Sequence, residues 1–404
     1  MSVTTRESCN VCLSKDLKHV LDLGNHPNAD SFLIKPISIA VTPLILEQCQ
    51  ACGHGQLKHN TSKLARYCDI DYSYTSSNSK ISRKHFEELA SYIASILCKS
   101  PSITLEPGSN DGTLLRAISK HYPNTKLVGV DPSSISDEQE NSDAIINRIH
   151  AFFDKENTLD YQDQVELIVA TNVLNHADSP REFFRNCRFL MSSEGLLIIE
   201  VPDLKSMVNG VHFETIYHEH INYFTAHSLR LLAKQSGMKM IDLSLNEYMC
   251  GSLRAAFALE ESASHHSRKE ITYKDFNSID TWRIPELFSK RCKDFKKNFC
   301  SIFHEPQMHS CLTVGLGAST KANTLLNFCG ISTREISFLT DVSPNKIGKY
   351  TPGSKIPIIH PSEISKYRQE VDFVVGLPLT TNINALLEKE AECYNFQLRQ
   401  LPSR

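Results

Sequence analysis

The sequence predicts an α/β protein with two doubly wound parallel sheets and a small cysteine-containing lobe at the N-terminus. From about Ile103, apolar strand segments alternate with amphipathic helical segments, and a second alternation of this kind starts at Cys311. Such alternation is typical of strand-helix-strand units that build a parallel sheet. Two Cys-x-x-Cys pairs precede both alternations and indicate a separate metal-binding module. We therefore predict three domains, over residues 1–64, 65–252 and 253–404.

The composition fits this architecture and excludes several classes of protein. A chain of 404 residues has room for several domains of ordinary size. Its 43 Lys and Arg against 46 Asp and Glu leave a net charge of -3, which gives no basic surplus for binding nucleic acid. No stretch approaches the roughly 20 apolar residues that span a bilayer, and the first residues lack the core of a signal peptide. We expect a cytoplasmic monomer or small homo-oligomer without nucleic-acid or membrane partners.

The first cysteine pairs, Cys9 with Cys12 and Cys49 with Cys52, have the spacing of zinc ligands. Clustered cysteines in a cytoplasmic protein favour a metal site over disulfides, and two pairs complete a tetrahedral four-thiolate site. Gly53 suits the turn that directs backbone amides at sulfur. A redox pair or buried free thiols are the alternatives, but a redox Cys-x-x-Cys normally opens a helix after a strand. We predict a structural zinc ion.

The turn Glu106-Pro-Gly-Ser-Asn-Asp-Gly112 follows the first strand of the second domain and precedes a helical segment. A dinucleotide site usually has G-x-G-x-x-G, whereas this turn has only Gly108 and Gly112 behind an acidic residue. S-adenosylmethionine carries positive groups and no phosphate, so it suits such a turn better than NAD does. A strand-turn-helix without a ligand is the alternative. The predicted cofactor-binding residues are Glu106, Gly108, Asn110, Asp111, Gly112, Asp131 at the end of the next strand, and Asn172.

Two segments rich in histidine follow the fourth and fifth strands of the second domain. Ligands meet the carboxyl ends of parallel strands, so His176 in NVLNHADSP is expected to face the site. The segment FETIYHEHINYF concentrates ring and acidic side chains within seven residues: Tyr217, His218, Glu219, His220 and Tyr223. Structural histidines are the alternative interpretation, but this density favours chemistry. The interpretation of this segment as a metal site is less well supported, because His-Glu-His lacks the i, i+4 spacing that places two ligands on one helical face.

These motifs together resemble the sugar C-methyltransferases, which methylate C3 of nucleotide-linked 4-keto-6-deoxy sugars. The resemblance covers nearly the whole chain, through CGHGQL, YSYTSS, EPGSNDG, NVLNHADSP, IYHEHINYF, GSLR, GLGASTK and PGSKIPI. It implies a zinc-binding lobe, a Rossmann-like S-adenosylmethionine methyltransferase domain and a C-terminal Rossmann-like domain that helps to hold the nucleotide sugar. Two departures occur: Met249-Cys250 stands where the family has His-Gly, and VVGLPLTTN stands where it has an aromatic L-A-W-N.

The resemblance also implies the residues around the substrate. By this resemblance Tyr217, Glu219, His220 and His176 line the reacting sugar. The turn Gly315-Leu-Gly-Ala-Ser-Thr-Lys321 opens a helix, which makes an anion site for the sugar nucleotide, with NAD binding or a purely structural turn as alternatives. The predicted substrate-binding residues are Tyr72, Tyr74, Ser252, Arg254, Gly315, Gly317 and Lys321.

The predicted reaction is methylation of C3 through an enolate, in the biosynthesis of a branched deoxysugar or a polysaccharide that contains it. His220 is the expected base and Tyr217 shares its proton transfer, because a C-H next to a ketone is only weakly acidic. Glu219 orients the sugar, and His176 hydrogen-bonds the C4 oxygen. An O- or N-methyltransferase acting on a nucleotide sugar, or a noncatalytic protein that binds the sugar nucleotide or S-adenosylmethionine, is the alternative.

Overall fold

The structure is a computed structural model that describes residues 3–67, 76–78, 80–97, 99–133, 144–262, 282–304, 312–367, 371–376 and 397–399. The predicted substrate residues Tyr72 and Tyr74 lie outside these ranges, as does most of VVGLPLTTN. Among the described helices, none has the length and apolar composition needed to cross a membrane.

The N-terminal lobe, residues 3–67, is built on short antiparallel strands. Its elements are β1 (Val3–Thr5), β2 (Leu17–His26), β3 (Thr42–Cys49), β4 (Gly55–Leu57), β5 (His59–Thr61) and α1 (Lys63–Tyr67). Strand β1 pairs with β5, while β2, β3 and β4 form three strands of a four-stranded sheet. The fourth strand, β11 (Asn222–Tyr223), comes from the end of the Tyr-His-Glu-His segment and pairs with β4. The middle of the chain therefore completes the sheet of the N-terminal lobe.

The second domain is a seven-stranded sheet flanked by helices. Its elements are α2 (Lys80–Ile96), β6 (Ile103–Pro107), α3 (Thr113–Ser119), β7 (Lys126–Val130), β8 (Ile146–Ile149), β9 (Val165–Thr171), α4 (Pro180–Leu190), β10 (Met191–Pro202), α5 (Leu204–Asn209), α6 (Ala226–Gln235), β12 (Met238–Asn246) and β13 (Ser252–Leu259). The strand order is β12-β13-β10-β9-β6-β7-β8, with parallel pairing from β10 to β8 and β13 antiparallel to both neighbours. Because the chain leaves β6 toward β7 on one side and returns as β9 on the other, a crevice opens at their carboxyl ends.

The strands of this sheet form because their residues are apolar on both faces. In β9 the run Leu167–Ala170 is fully buried, as expected for a parallel strand that helices cover on both sides. The following helix α4 has a capped N-terminus. The hydroxyl of Ser179 accepts the N-H of Glu182, and Pro180 occupies the first turn. The sheet continues through β13, beyond the domain boundary at residue 252 that the sequence predicts. We propose that the second domain includes β13.

The described part of the C-terminal domain is a second α/β unit, as predicted. Its elements are α7 (Leu287–Ser301), β14 (Leu312–Leu316), α8 (Thr320–Cys329), β15 (Phe338–Thr340), β16 (Ile358–Ile359), β17 (Val371–Gly376) and β18 (Gln397–Arg399). The order is β16-β15-β14-β17-β18, and every pair is parallel. Strand β14 lies at the centre, so the turn after it and the start of α8 lie at the carboxyl edge of this sheet.

One hydrophobic core joins the N-terminal lobe to the C-terminal domain. It contains Leu46 of β3 and Leu325 of α8, and Phe213 lies between them in the chain segment after α5. The Phe213 ring is 5.5 Å from Phe295 and 5.0 Å from Phe328, measured between centroids. Cys9, Cys49 and Cys52 of the lobe instead belong to the core of the seven-stranded sheet, and Cys12 packs against it. The segment that carries Tyr217 and His220 is thus held by all three domains.

Candidate active site

The four predicted zinc ligands converge in the N-terminal lobe. The sulfur atoms of Cys9, Cys12, Cys49 and Cys52 all lie within 4.8 Å of one another. The Sγ–Sγ distances are 3.6 Å for Cys9 to Cys52 and 3.5 Å for Cys12 to Cys49. A tetrahedral ion with Zn-S bonds of about 2.3 Å requires S-S edges of about 3.8 Å. The four sulfurs therefore have the arrangement that a zinc ion needs.

The two Cys-x-x-Cys turns share one backbone conformation. In the first turn Leu13 N-H donates to the Cys9 carbonyl, and in the second Gly53 N-H donates to the Cys49 carbonyl, at 3.0 and 2.9 Å. The residue after each pair has a positive φ, 63° at Leu13 and 74° at Gly53. Sulfur crowding raises the pKa of Cys9 to about 12, first through its hydrogen bond with Cys49. Four thiolates so close together need a cation, so this donor set fits zinc.

A cavity of about 910 Å³ lies at the crevice of the seven-stranded sheet and reaches the histidine segments. The turn after β6 forms one wall. Gly108 has φ 67°, and a Cβ there would come within 2.8 Å of Val173, so only glycine fits. Its N-H donates to the Val130 carbonyl at 2.7 Å, which ties the turn to the end of β7.

Glu106 is the acidic residue of this turn, and its carboxylate is buried in the cavity wall. Burial raises the pKa of Glu106 well above its usual range, and the nearby Asp111 and Asp131 carboxylates raise it further. Its Oε2 atom is buried and has no hydrogen-bond partner within the described residues. A positive or hydrogen-bond-donating ligand group satisfies such an atom, because a buried carboxylate without a partner is costly.

The other polar residues of the turn hold neighbouring backbone. Asn110 and Asp111 side chains accept the N-H groups of Ser76 and Ser77, at 3.1 and 2.8 Å. The Asp131 carboxylate accepts the Asn110 N-H at 2.8 Å. Asp111 and Gly112 do not line the cavity, whereas Glu106, Gly108, Asn110, Asp131 and Asn172 do. Asp111 and Gly112 therefore shape the turn and position the segment at Ser76 against it.

Tyr217 and His220 form a hydrogen-bonded pair on the opposite side of the cavity. The Tyr217 hydroxyl is 2.6 Å from His220 Nε2, and His220 Nδ1 is 3.0 Å from the Thr215 carbonyl. A carbonyl oxygen only accepts, so Nδ1 carries the proton and Nε2 accepts from Tyr217. Burial lowers the pKa of His220 well below its usual value, and His176 and Lys321 lower it further. His220 is therefore a neutral imidazole with a defined tautomer.

His176 lies beside this pair, with its ring edge-on to His220 at 4.8 Å between centroids. Its Nδ1 is 2.6 Å from the hydroxyl of Tyr67, at the end of the N-terminal lobe. Burial, followed by the charge of Arg66, lowers the pKa of His176 to about 3. Both histidines of the cavity are thus uncharged at neutral pH.

Glu219 is buried between the N-terminal lobe and the start of α8. Its Oε1 accepts the N-H of Asp30 at 3.3 Å, and the Asp30 carboxylate accepts the Thr320 hydroxyl at 2.7 Å. Burial first, and then the Asp30 charge, raise the pKa of Glu219 to about 8. The neighbouring His218 has a different role, because its Nε2 lies 3.1 and 3.2 Å from the carbonyls of His26 and Thr42 in the lobe.

Three family models match consecutive parts of the chain. A zinc binding domain matches residues 9–65, a methyltransferase domain matches residues 81–243, and a C-methyltransferase C-terminal domain matches residues 248–395. C-methyltransferase NovU from Streptomyces niveus is 26% identical over 368 residues, which cover 88% of this chain and 86% of the relative. The chain is therefore similar to the C-methyltransferases along most of its length. It is an S-adenosylmethionine-dependent methyltransferase with a structural zinc ion, and the predicted fold class is confirmed.

Solved structures with partial similarity were also found. The protein PH0226 from Pyrococcus horikoshii OT3 matches with a TM-score of 0.38 and 14% identity, covering 46% of this chain and 95% of its own. The S-adenosylhomocysteine-bound form of CalO1, a methyltransferase in calicheamicin biosynthesis, matches with a TM-score of 0.36 and 14% identity, covering 44% and 54%.

S-adenosylmethionine fits the crevice of this C-methyltransferase on the chemistry of its walls. Glu106 would offer the buried acceptor, and Asp131, directly after β7, lies in the cavity where the ribose of a nucleoside cofactor would meet a Rossmann-like sheet. When bound, S-adenosylmethionine supplies a methyl group on a positively charged sulfur. The acidic crevice suits that charge, whereas it would repel the pyrophosphate of a dinucleotide.

Two predicted substrate residues of the C-methyltransferase lie away from the cavity. Arg254 on β13 donates from Nε to Glu200 Oε2 at 2.8 Å, in a buried ion pair between neighbouring strands. Ser252 is fully buried, and its hydroxyl donates to the Tyr248 carbonyl at 2.8 Å. Neither lines the cavity. The sequence could not exclude them because GSLR becomes an internal strand only through its pairing with β10.

The C-terminal glycine turn also differs from the predicted anion site. Gly315 lies in β14, and Gly317, with φ 87°, donates its N-H to the Thr340 carbonyl. The next N-H, from Ala318, donates to the Asp341 carboxylate at 3.1 Å, so a negative group already occupies this side of the turn. Lys321 lines the cavity from the first turn of α8.

Several residues that line the cavity were not predicted from the sequence. Among them are Asp30, Arg66, Tyr67, Met249 and Thr320. Asp30 and Thr320 are almost 300 positions apart and meet only because α8 packs on the N-terminal lobe. Arg66 is 1% exposed and pairs with Asp178 at 2.6 Å, which links the lobe to the loop that carries His176. No local pattern in the sequence signals this pair, because Arg66 and Asp178 are 112 positions apart.

Proposed function

We propose that this C-methyltransferase transfers a methyl group to C3 of a nucleotide-linked 4-keto-6-deoxy sugar through an enolate, in the synthesis of a branched deoxysugar. The observation that carries the proposal is the Tyr217–His220 pair, which shares one cavity with the cofactor crevice. A C-H next to a ketone is weakly acidic, so methylation at carbon needs a base and a group that stabilises the developing oxyanion. The cavity offers candidates for both.

His220 and Tyr217 act together as the base in this proposal. His220 is neutral and directs the Nε2 lone pair at the Tyr217 hydroxyl, so the pair can accept one proton without moving a ring. The low pKa of His220 in the free protein comes from burial and from the positive Lys321. An enolate formed beside the ring is an anion in a low-dielectric site, and it raises the proton affinity of His220 as the C-H bond breaks.

His176 and Glu219 are proposed to contact the sugar. The Tyr67 hydroxyl lies 2.6 Å from His176 Nδ1, and the proposal assigns to His176 the tautomer in which Nε2 carries the proton and donates it to the C4 oxygen. Glu219 Oε2 is buried without a partner in the described part of the chain, and its pKa of about 8 keeps it largely protonated at neutral pH. A protonated carboxyl donates a hydrogen bond, so Glu219 can orient a sugar oxygen without adding a charge that opposes the enolate.

Lys321 is proposed to contact the nucleotide part of the substrate. It is the cavity-lining lysine of α8, and the helix N-terminus behind it adds a partial positive charge. A diphosphate linker is the sugar-nucleotide group that such a lysine attracts. Asp341 beside the glycine turn restricts the phosphate contact to Lys321 and the start of the helix.

The experiment that tests the proposal incubates the enzyme with a panel of nucleotide-linked 4-keto-6-deoxy sugars in deuterium oxide. Without S-adenosylmethionine, mass spectrometry should detect deuterium at C3, and with it a methyl group at the same carbon. Methylation at oxygen or nitrogen without C3 exchange would replace the proposal with the O- or N-methyltransferase alternative. Binding of the sugar and of S-adenosylmethionine without exchange or turnover on any member would indicate a noncatalytic binding protein.

A further inference from the structure

Asp30 and Glu219 place two neighbouring carboxyl groups in the wall of the cavity. Asp30 comes from the loop between β2 and β3 of the N-terminal lobe, and Glu219 comes from the segment between α5 and β11. The Asp30 N-H donates to Glu219 Oε1 at 3.3 Å, which holds the two residues together. The methyl transfer proposed above gives the Asp30 carboxyl group no role.

Each of these carboxyl groups binds the protein through one oxygen and leaves the other without a partner. Thr320 Oγ1 donates to Asp30 Oδ1 at 2.7 Å, and no described residue donates to Asp30 Oδ2. Glu219 Oε2 likewise has no hydrogen-bond partner within the described part of the chain, although Glu219 is only 1% exposed. Because a buried polar atom without a partner is costly, two such oxygens in the wall of a cavity indicate a ligand group that binds them.

The packing of three domains holds this pair in place. Thr320 is the first residue of α8, and Asn323 of the same helix donates from Nδ2 to the Ala29 carbonyl at 2.7 Å. Asp30 and Glu219 are both buried, so the surrounding side chains fix their orientation. A fixed pair of carboxyl groups binds a ligand group with little loss of conformational entropy.

The protonation of the pair selects the kind of group that fits. Burial, followed by the Asp30 charge, raises the pKa of Glu219 to about 8, so Glu219 keeps a proton at neutral pH. One carboxyl group then donates a hydrogen bond while the other accepts one. A hydroxyl group matches both, because it accepts and donates at once. An ammonium group only donates, and Lys346 already provides a positive charge near Asp30.

We propose that Asp30 is a further substrate-binding residue, which together with Glu219 binds a ring hydroxyl of the nucleotide-linked sugar. This inference rests on the proposed function, since a 4-keto-6-deoxy sugar linked through C1 has free hydroxyls only at C2 and C3. Glu219 donates to the hydroxyl oxygen, and the hydroxyl donates to Asp30 Oδ2. The enzyme is therefore specific for sugars that retain this hydroxyl, because a deoxy analogue leaves both buried oxygens unpaired.

Calorimetry on the full-length enzyme without S-adenosylmethionine tests this contact through binding alone. The probes are a nucleotide-linked 4-keto-6-deoxy sugar and its 2-deoxy and 3-deoxy analogues. The wild type should bind one of the two analogues about 10- to 100-fold more weakly, the loss expected for a hydrogen bond to a charged group. Asp30→Ala should bind the complete sugar as weakly as it binds that analogue. Equal affinity of the wild type for all three sugars would overturn the proposal.

The affinity for S-adenosylmethionine shows whether the variant is folded, because other residues form the cofactor crevice. If Asp30→Ala loses this affinity, Asp30→Asn replaces it, since the amide oxygen still accepts from Thr320 whereas the amide nitrogen cannot accept from the sugar. Asp22→Ala, at an exposed aspartate of β2, is the matched control and should discriminate between the sugars as the wild type does. A purely structural role of Asp30 would weaken the binding of every sugar by the same factor, and that result would overturn the proposal.

The remaining outcomes separate this inference from the proposed function. If the wild type binds a 3-amino analogue more tightly than the hydroxy sugar, the pair binds an ammonium group and the hydroxyl contact is refuted. If Asp30→Ala abolishes the discrimination but the wild type shows no C3 exchange or methyl transfer, the proposed function is refuted and the hydroxyl contact stands. If no 4-keto sugar binds, both are refuted.

Discussion

Burial sets the protonation state of each side chain around the cavity. His176 and His220 are neutral because they are buried near positive groups, whereas Glu219 retains a proton at neutral pH because it is buried and lies near the Asp30 carboxylate. The cavity therefore contains neutral donors and acceptors where the sequence alone suggests charges. A proton acceptor and proton donors can coexist in it at the same pH.

His220→Asn tests the proposed base. The asparagine amide can still donate to the Thr215 carbonyl, but it cannot accept a proton from Tyr217. Exchange of the C3 hydrogen and methyl transfer should both fall by about 10²–10⁴-fold, the usual contribution of a positioned base. Binding of S-adenosylmethionine, measured by calorimetry, should not change. Near-normal exchange would move the role to Tyr217 or His176.

The raised pKa of Glu219 predicts that the stability of the folded protein depends on pH. Its pKa is raised from 4.5 to about 8 in the folded protein, so between these values the folded state holds a proton that the unfolded state releases. Stability contributed by the protonated group is therefore present at low pH and is lost as pH rises through about 8. The effect on the free energy of unfolding is up to about 1.4 kcal/mol per pH unit.

Urea denaturation of the wild type and Glu219→Gln across this pH range measures the effect. Glutamine imitates the protonated carboxyl, so the wild type should lose stability relative to Glu219→Gln as pH rises. Glu88→Gln, at a side chain that is 60% exposed, controls for the change in net charge. A constant difference between wild type and Glu219→Gln would refute the raised pKa.

Turns and strand ends, rather than helices, carry most of the site. The zinc turns, the turn after β6, the segment after β9 and the segment after α5 all lie at the ends of strands or short helices. Each is fixed by backbone hydrogen bonds and contains at least one residue with a positive φ. Zinc matters for this reason, since it joins two turns that are far apart along the chain.

Cys49→Ser tests the contribution of zinc. Metal-binding energy is folding energy in such a lobe, so the variant should lose most of its zinc and unfold at a lower temperature. Elemental analysis and thermal denaturation measure the two effects. Cys300→Ser, at a half-buried cysteine outside the metal cluster, should keep both near wild type. An unchanged zinc content in Cys49→Ser would mean that another group completes the site.

The molecule as a whole brings three domains to one cavity. The N-terminal lobe contributes Asp30 and Tyr67, the seven-stranded sheet contributes the crevice and the histidine segments, and α8 contributes Lys321. The lobe and the C-terminal domain share a hydrophobic core, and β11 completes the sheet of the lobe. The position of Lys321 therefore depends on the packing of all three.

Lys321→Met tests the proposed role of the C-terminal domain in substrate binding. The methionine keeps much of the apolar stem and removes the charge, so KM for the nucleotide sugar should rise by about tenfold, the loss of one charged hydrogen bond. Affinity for S-adenosylmethionine should stay at the wild-type value. Lys290→Met, on an exposed side chain of α7, is the matched control. Loss of S-adenosylmethionine binding in Lys321→Met would assign the lysine to the cofactor instead.

Features that depend on local pattern could be predicted from the sequence. Cysteine spacing predicted a four-cysteine cluster, the strand-helix alternation predicted both α/β units, and the Glu106 turn predicted a crevice after β6, because each is encoded within a few tens of residues. Which side chains share the cavity depends instead on how the domains pack. Arg254 faces Glu200 inside the sheet because of strand pairing, and Asp30 meets Thr320 because α8 packs on the N-terminal lobe. Such contacts depend on the register and packing of distant segments, which residue patterns along the chain do not encode locally.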